Sequence, residues 1–203
     1  GLTNRLLAPF ASRVCLAFPL EGRSGQRYIV TGRPIPPQAQ DARAARERFG
    51  LSDDDRVVVV VGGSLGARSI NEAALEAFAD DSRLKVIHAA GERDFASLDE
   101  RARGANYQLF GYIDSFSEAL LAADLVVSRA GGSVFEIAAA GRPAILVPYP
   151  HAAADHQAGN ARWMEQAGAA TVLADEALSG ARLADEVGRL LADPALLAQM
   201  ARA

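Results

Sequence analysis

The chain has 203 residues, half of them hydrophobic and 23% charged, so it can bury a sizeable core and does not have a disordered composition. A net charge of −4, from 21 basic and 25 acidic side chains with no basic patch that stands out, argues against nucleic acid as a partner. The lone Cys15 excludes an internal disulfide and a thiolate-rich metal site and suits a reducing compartment, and no apolar run is long enough to span a bilayer.

The opening GLTNRLLAPF lacks a methionine, starts within a helical pattern and does not read as a signal peptide, so the chain is expected to be a fragment of a longer protein. A short strand is predicted over 13–17. Residues 31–40, TGRPIPPQAQ, are proline-rich without periodicity and read as an inter-domain linker. A helix over 42–49 leads to apolar, strand-length runs at 57–61, 84–88, 107–110, 125–128, 144–147 and 171–173. Helical periodicity fills the intervals, over 69–79, 95–103, 116–122, 133–140 and 157–167. The tail, 181–200, reads as two helices broken near Asp193-Pro194. This alternation predicts an α/β fold: a three-layer, Rossmann-like parallel sheet with helices on both faces. Residues 1–32 would be the end of a preceding domain plus linker, and 33–203 the main domain.

Ligands of such sheets sit at the carboxyl ends of the strands, so the loops there carry the candidate chemistry. In VVVVVGGSLGARSINEA a buried strand leaves through Gly62, Gly63 and Ser64. Two readings stay open: a tight strand-to-helix turn, or amides crowded around an anion at a helix start. The spacing matches neither GxxxxGK[ST] nor the dinucleotide fingerprint, which sets aside P-loop nucleotidases and nicotinamide dehydrogenases. In FGYID, Tyr112 and Ile113 either line a slot for a flat base or cap the core, with Asp114 as the N-cap of the next helix. In SRAGGSVFE, Ser133 and Glu136 have capping-box spacing. Alternatively, Ser133 and nearby amides hold a diphosphate while Glu136 accepts from ribose hydroxyls. Gln157 and Asn160 share one helix face and either solvate it or bind sugar hydroxyls. His151 and His156 lack a third ligand at a useful spacing, which weighs against metal.

GGSLGAR, GYID and SRAGGSVFEIAAAGRPAILVPYPHAAADHQAGNA, preceded by GLTNRLLAPFASRVCLAFP and TGRPIP, together resemble the MurG family over essentially the whole chain. That family consists of inverting GT-B glycosyltransferases that complete lipid II in peptidoglycan synthesis. The resemblance implies that residues 33–203 are the C-terminal, UDP-sugar-binding half of a GT-B fold. It implies transfer of GlcNAc from UDP-GlcNAc to the MurNAc C4 hydroxyl of lipid I, with no cofactor and no metal. It also implies peripheral association of the parent protein with the cytoplasmic face of the bacterial plasma membrane.

Residue by residue, the resemblance puts Gly63 and Ser64 at the donor phosphates and the Ile113 backbone at the uracil. Gly131, Gly132 and Ser133 go to the diphosphate, Glu136 to the ribose, and Gln157 and Asn160 to GlcNAc hydroxyls. Arg129 would help to orient the site. No catalytic residue is assigned in this chain. The base, the lipid I acceptor site and the main membrane contact would belong to the N-terminal domain, so these 203 residues are expected to bind donor weakly and to transfer nothing. The sequence departs from the family in two places. Its glycine stretch after Arg129 is one residue shorter than in some relatives, and the family's Asn-Pro-Val-Arg is here Arg33-Pro34-Ile35-Pro36, without an arginine at Pro36. The alternatives are a non-catalytic UDP-GlcNAc-binding subunit of a two-chain transferase and other GT-B enzymes, such as a glycolipid glycosyltransferase or a UDP-GlcNAc 2-epimerase.

Overall fold

A run of five valines forms the central strand of the larger unit. β3 (Val57–Val61) is buried at every residue, as expected of a strand covered on both faces. Each such valine stabilises by roughly 1.5–3 kcal/mol relative to an exposed one. The computed structural model describes residues 2–63, 66–102, 104–152 and 156–203, with side chains for all of these but Leu2 and Arg5. The chain divides into two compact units, Gly1–Pro36 and Pro37–Ala203.

The first unit holds α1 (Leu2–Leu7), a 3-10 turn at Ala8–Phe10, and two short parallel strands, β1 (Val14–Leu16) and β2 (Tyr28–Val30). β2 was not expected from the sequence, because three residues beside the proline-rich stretch are too few to show a period. The Arg23 guanidinium lies over the Tyr28 ring and donates to its hydroxyl.

The second unit starts with α2 (Ala42–Arg48), whose first turn is capped by the Asp41 carboxylate. After β3 come α3 (Arg68–Phe78), β4 (Lys85–Ala89), α4 (Glu92–Asp99), β5 (Tyr107–Phe110), α5 (Phe116–Ala122) and β6 (Leu125–Ser128). They are followed by α6 (Val134–Ala139), β7 (Ala144–Leu146), α7 (His156–Ala167), β8 (Ala170–Val172), α8 (Gly180–Leu191) and α9 (Pro194–Arg202). The six strands are all parallel, in the order β5-β4-β3-β6-β7-β8. The expected three-layer α/β architecture is therefore present. Elements lie within a few residues of their expected bounds; α4, which starts at Glu92 rather than 95, shows one of the larger shifts.

Strand order reverses between β3 and β6, so the open crevice of this sheet lies between the loops that follow those two strands. Side-chain N-caps show a matching asymmetry. Asp41, Ser179 and Asp193 cap α2, α8 and α9. The helices α3, α4, α5 and α6, which follow β3 to β6, start with no side-chain cap. At these four helix starts the N-cap residue itself supplies no side-chain hydrogen bond to the first turn.

Candidate functional site

The two glycine loops leave neighbouring strands. Val61 pairs with Ser128 in the β3–β6 register, so both loops start side by side on one rim. In the first loop Gly63 has φ +94° and Gly66 φ +76°. The Gly66 amide donates to the Gly63 carbonyl at 2.9 Å. A side chain at Gly62 would run into the Ala67 backbone, and one at Gly66 into the Ala90 carbonyl. The turn is thus closed too tightly for any residue with a Cβ at either place. Ser64, expected at the donor phosphates, lies outside the described residues.

Beneath this loop runs a buried polar chain that the sequence reading did not single out. Asn71 of α3 donates to the Ala90 carbonyl at 2.9 Å and to Asp94 Oδ2 at 3.1 Å, which leaves its Oδ1 as an acceptor. His88 Nε2 lies 3.0 Å from that oxygen, and His88 Nδ1 lies 2.7 Å from the Tyr107 hydroxyl. The network therefore assigns the proton of a neutral imidazole to Nε2 and makes Tyr107 the donor to Nδ1. Burial pushes the His88 pKa down to about 3 and raises that of Tyr107. The one sequence signal for this chain is Asn71, a polar residue at a buried helix phase beside Ile70 and Ala74.

In the loop after β5, the Ile113 side chain is buried and Tyr112 is exposed. Asp114 is not the helix cap. Ser115 occupies that position and makes no capping bond. The strand order places this loop three strand spacings from the loop after β6, about 14 Å at the usual 4.8 Å separation. That distance suits an extended nucleoside diphosphate.

The loop after β6 also departs from the capping-box expectation. Ser133 has helical dihedrals (φ −59°, ψ −22°) and makes no capping bond. Its hydroxyl lies 3.2 Å from Ser128 Oγ, and Ser128 Oγ in turn donates to the Arg129 carbonyl at 2.8 Å. Glu136 is half-buried in the first turn of α6, next to Phe135, whose ring stacks on Trp163 of α7 at 5.5 Å.

Gln157 and Asn160 both face this loop, as their spacing requires. The Asn160 amide donates to the carbonyls of Ala130 (2.9 Å) and Gly131 (3.1 Å) and is 8% exposed. Both of its hydrogens are thus spent on the loop, not turned to solvent. Gln157 Oε1 accepts from the Tyr149 amide at 2.9 Å, and its Nε2 lies 4.0 Å from where a Cβ on Gly131 would stand. Arg129 is 8% exposed and turned inward, onto Asp175, Ser69 and the Val147 carbonyl. Its guanidinium lies 5.4 Å from the centre of the half-exposed Tyr149 ring. His151 packs edge-on against Tyr149.

A doubly wound parallel sheet with two glycine loops meeting at its switch point defines a Rossmann-like domain of the α/β class, whose ligands bind at that rim. The profile of the glycosyltransferase family 28 C-terminal domain matches residues 57–203, and the chain belongs to that family. It is 40% identical to the UDP-N-acetylglucosamine–N-acetylmuramyl-(pentapeptide) pyrophosphoryl-undecaprenol N-acetylglucosamine transferase of Moorella thermoacetica, over 100% of this chain and 59% of that protein. Its identity to the transferase of the same name from Syntrophotalea carbinolica is 42%, over 100% of this chain and 58% of that protein. The crystal structure of Acinetobacter baumannii MurG superposes with a TM-score of 0.78 at 30% identity, covering 99% of this chain and 58% of that one. The chain thus spans about three fifths of the length of these relatives.

Proposed function

We propose that this chain is the donor-binding part of an inverting UDP-N-acetylglucosamine transferase that forms lipid II. The observation that carries the reading is the adjacency of two glycine loops at the β3/β6 switch point. It is supported by the names and coverage of the relatives.

In the reaction, the C4 hydroxyl of the MurNAc sugar in lipid I attacks C1 of GlcNAc. The bond from C1 to the diphosphate oxygen breaks, the new C1–O4 bond forms on the opposite face, and the hydroxyl proton goes to a base. The leaving UDP gains negative charge. Backbone amides of the two loops, Gly63 among them, would face that charge, and fixed dipoles of this kind stabilise it without reorganising. The Ile113 backbone would meet the uracil, and Glu136 would accept from the ribose hydroxyls. Gly131, Gly132 and Ser133 would border the diphosphate, and Gln157 Nε2 would face the sugar. The Asn160 amide is committed to the loop carbonyls. We assign it to holding the loop that borders the diphosphate.

The base, the lipid I site and peripheral attachment to the cytoplasmic face of the membrane are assigned to the N-terminal domain of the parent protein. Among the described residues no helix is long and apolar enough to cross a membrane. Calorimetric titration with UDP-GlcNAc and UDP-GalNAc tests the reading. UDP-GlcNAc should bind more tightly, and Glu136→Ala should lose about 1–3 kcal/mol of donor affinity, the range for a charged hydrogen-bond partner. Equal binding of both sugars, or a Glu136→Ala variant indistinguishable from the wild type, would refute it.

A further inference from the structure

We propose that Arg129 is a positioning residue that sets the spacing of the two glycine loops, and not a ligand of the donor diphosphate. The proposal rests on the donor-site reading above.

Three side chains from distant parts of the unit close a ring of hydrogen bonds. Arg129 Nη1 donates to Asp175 Oδ1 at 2.6 Å, and Nη2 donates to Ser69 Oγ at 2.8 Å. Ser69 Oγ donates in turn to the same Asp175 oxygen at 2.7 Å. The second hydrogen of Nη1 reaches the Val147 carbonyl at 3.2 Å. An arginine that grips a phosphate presents its fork to the ligand. Here three of the five guanidinium N–H groups, one on each arm of the fork among them, donate within the protein, one face of the guanidinium lies by the Tyr149 ring, and Asp175 balances its charge. Buried at 8% exposure and paired with Asp175, the guanidinium is turned to the protein interior and away from the rim where an anion would sit.

The elements that the ring joins are the ones that must be held in register. Ser69 is in the first turn of α3, directly after the first glycine loop. Arg129 opens the second loop, Val147 follows β7, and Asp175 lies in the 3-10 turn after β8. One guanidinium therefore ties α3 to the ends of β6, β7 and β8. Two loops that share one diphosphate need their amides placed to within about 0.5 Å.

The test is calorimetry of the full-length protein with UDP and UMP, for the wild type, Ser69→Ala, Asp175→Asn and Arg129→Lys. The readout is the ratio of the two affinities. Partial unfolding weakens both nucleotides by the same factor and leaves the ratio unchanged, so a merely structural role would not move it. Each variant is expected to cut the preference for UDP about ten-fold or more, the order of loss that follows a displacement approaching 1 Å. Lysine should not rescue, because an ammonium cannot span Asp175 and Ser69 as a fork does. A UDP preference that stays at the wild-type value in Ser69→Ala and Asp175→Asn, or rises because the freed guanidinium reaches the phosphates, overturns the proposal. Wild-type protein with no preference for UDP over UMP would instead overturn the donor-site reading, and this inference with it.

Discussion

Val61 and Ser128 are register partners, and each is the last residue of its strand. The pairing puts Gly62 and Arg129 next to one another on the rim, although the sequence separates them widely. Two turns that look alike in the sequence thereby become two walls of one crevice.

Substitutions in the first glycine loop should rank by geometry. Gly63→Ala meets no atom within 4 Å but must hold φ +94°. It is expected to lose about 1–2 kcal/mol of stability, the cost of a left-handed conformation for a residue with a Cβ. Gly62→Ala and Gly66→Ala should lose more, because their methyl groups collide with the Ala67 backbone and the Ala90 carbonyl. Urea denaturation of the three variants gives the order directly. Gly63→Ala proving the worst would contradict the described turn.

Asn160 offers a way to separate loop support from sugar contact. Asn160→Ala leaves the carbonyls of Ala130 and Gly131 without their donor, at about 1–3 kcal/mol. Asn160→Asp should be no better, since a carboxylate repels the same two carbonyls. Both variants are expected to weaken binding of UDP itself, which carries no sugar. Loss confined to UDP-GlcNAc, with UDP untouched, would return Asn160 to direct sugar recognition.

His88 makes stability depend on pH. Its folded-state pKa is depressed from 6.5 to about 3 by burial. Between those values the unfolded chain holds a proton that the folded chain does not, so stability rises with pH. The contribution is complete above the unfolded value and is lost as pH falls toward the folded one. His88→Gln should therefore flatten the fall in denaturation midpoint between about pH 7 and about pH 4, relative to the wild type. Curves for the two proteins that run parallel across that window would mean that His88 is not buried as a neutral imidazole.

Much of the fold was legible because its signals are local. Val57–Val61 shows a strand covered on both faces by composition alone. The apolar phase of α3 and the Asp193-Pro194 break before α9 follow from the helix period and cap chemistry. Both glycine loops could be found, but what the Ser133 hydroxyl does could not. Ser133 has the spacing of a capping box, yet its oxygen turns to Ser128 and the Arg129 carbonyl. Spacing along a helix start cannot tell whether a neighbouring strand end will compete for the same side chain. Asn160 and Gln157 share a face, as expected, but which of their hydrogens remain for a ligand depends on how close Gly131 approaches.

The sequence by itself determined the alternation of strands and helices, the places where the backbone must turn without a Cβ, and the membership of a family by ordered motifs. The tertiary structure alone decided that Ser69 and Asp175, 106 residues apart, share a hydrogen bond and enclose Arg129 between them. The physical reason is range. Periodicity, glycine dihedrals and caps act within a turn or two of chain, whereas the partner of a buried charge is chosen by strand order, which no short stretch encodes.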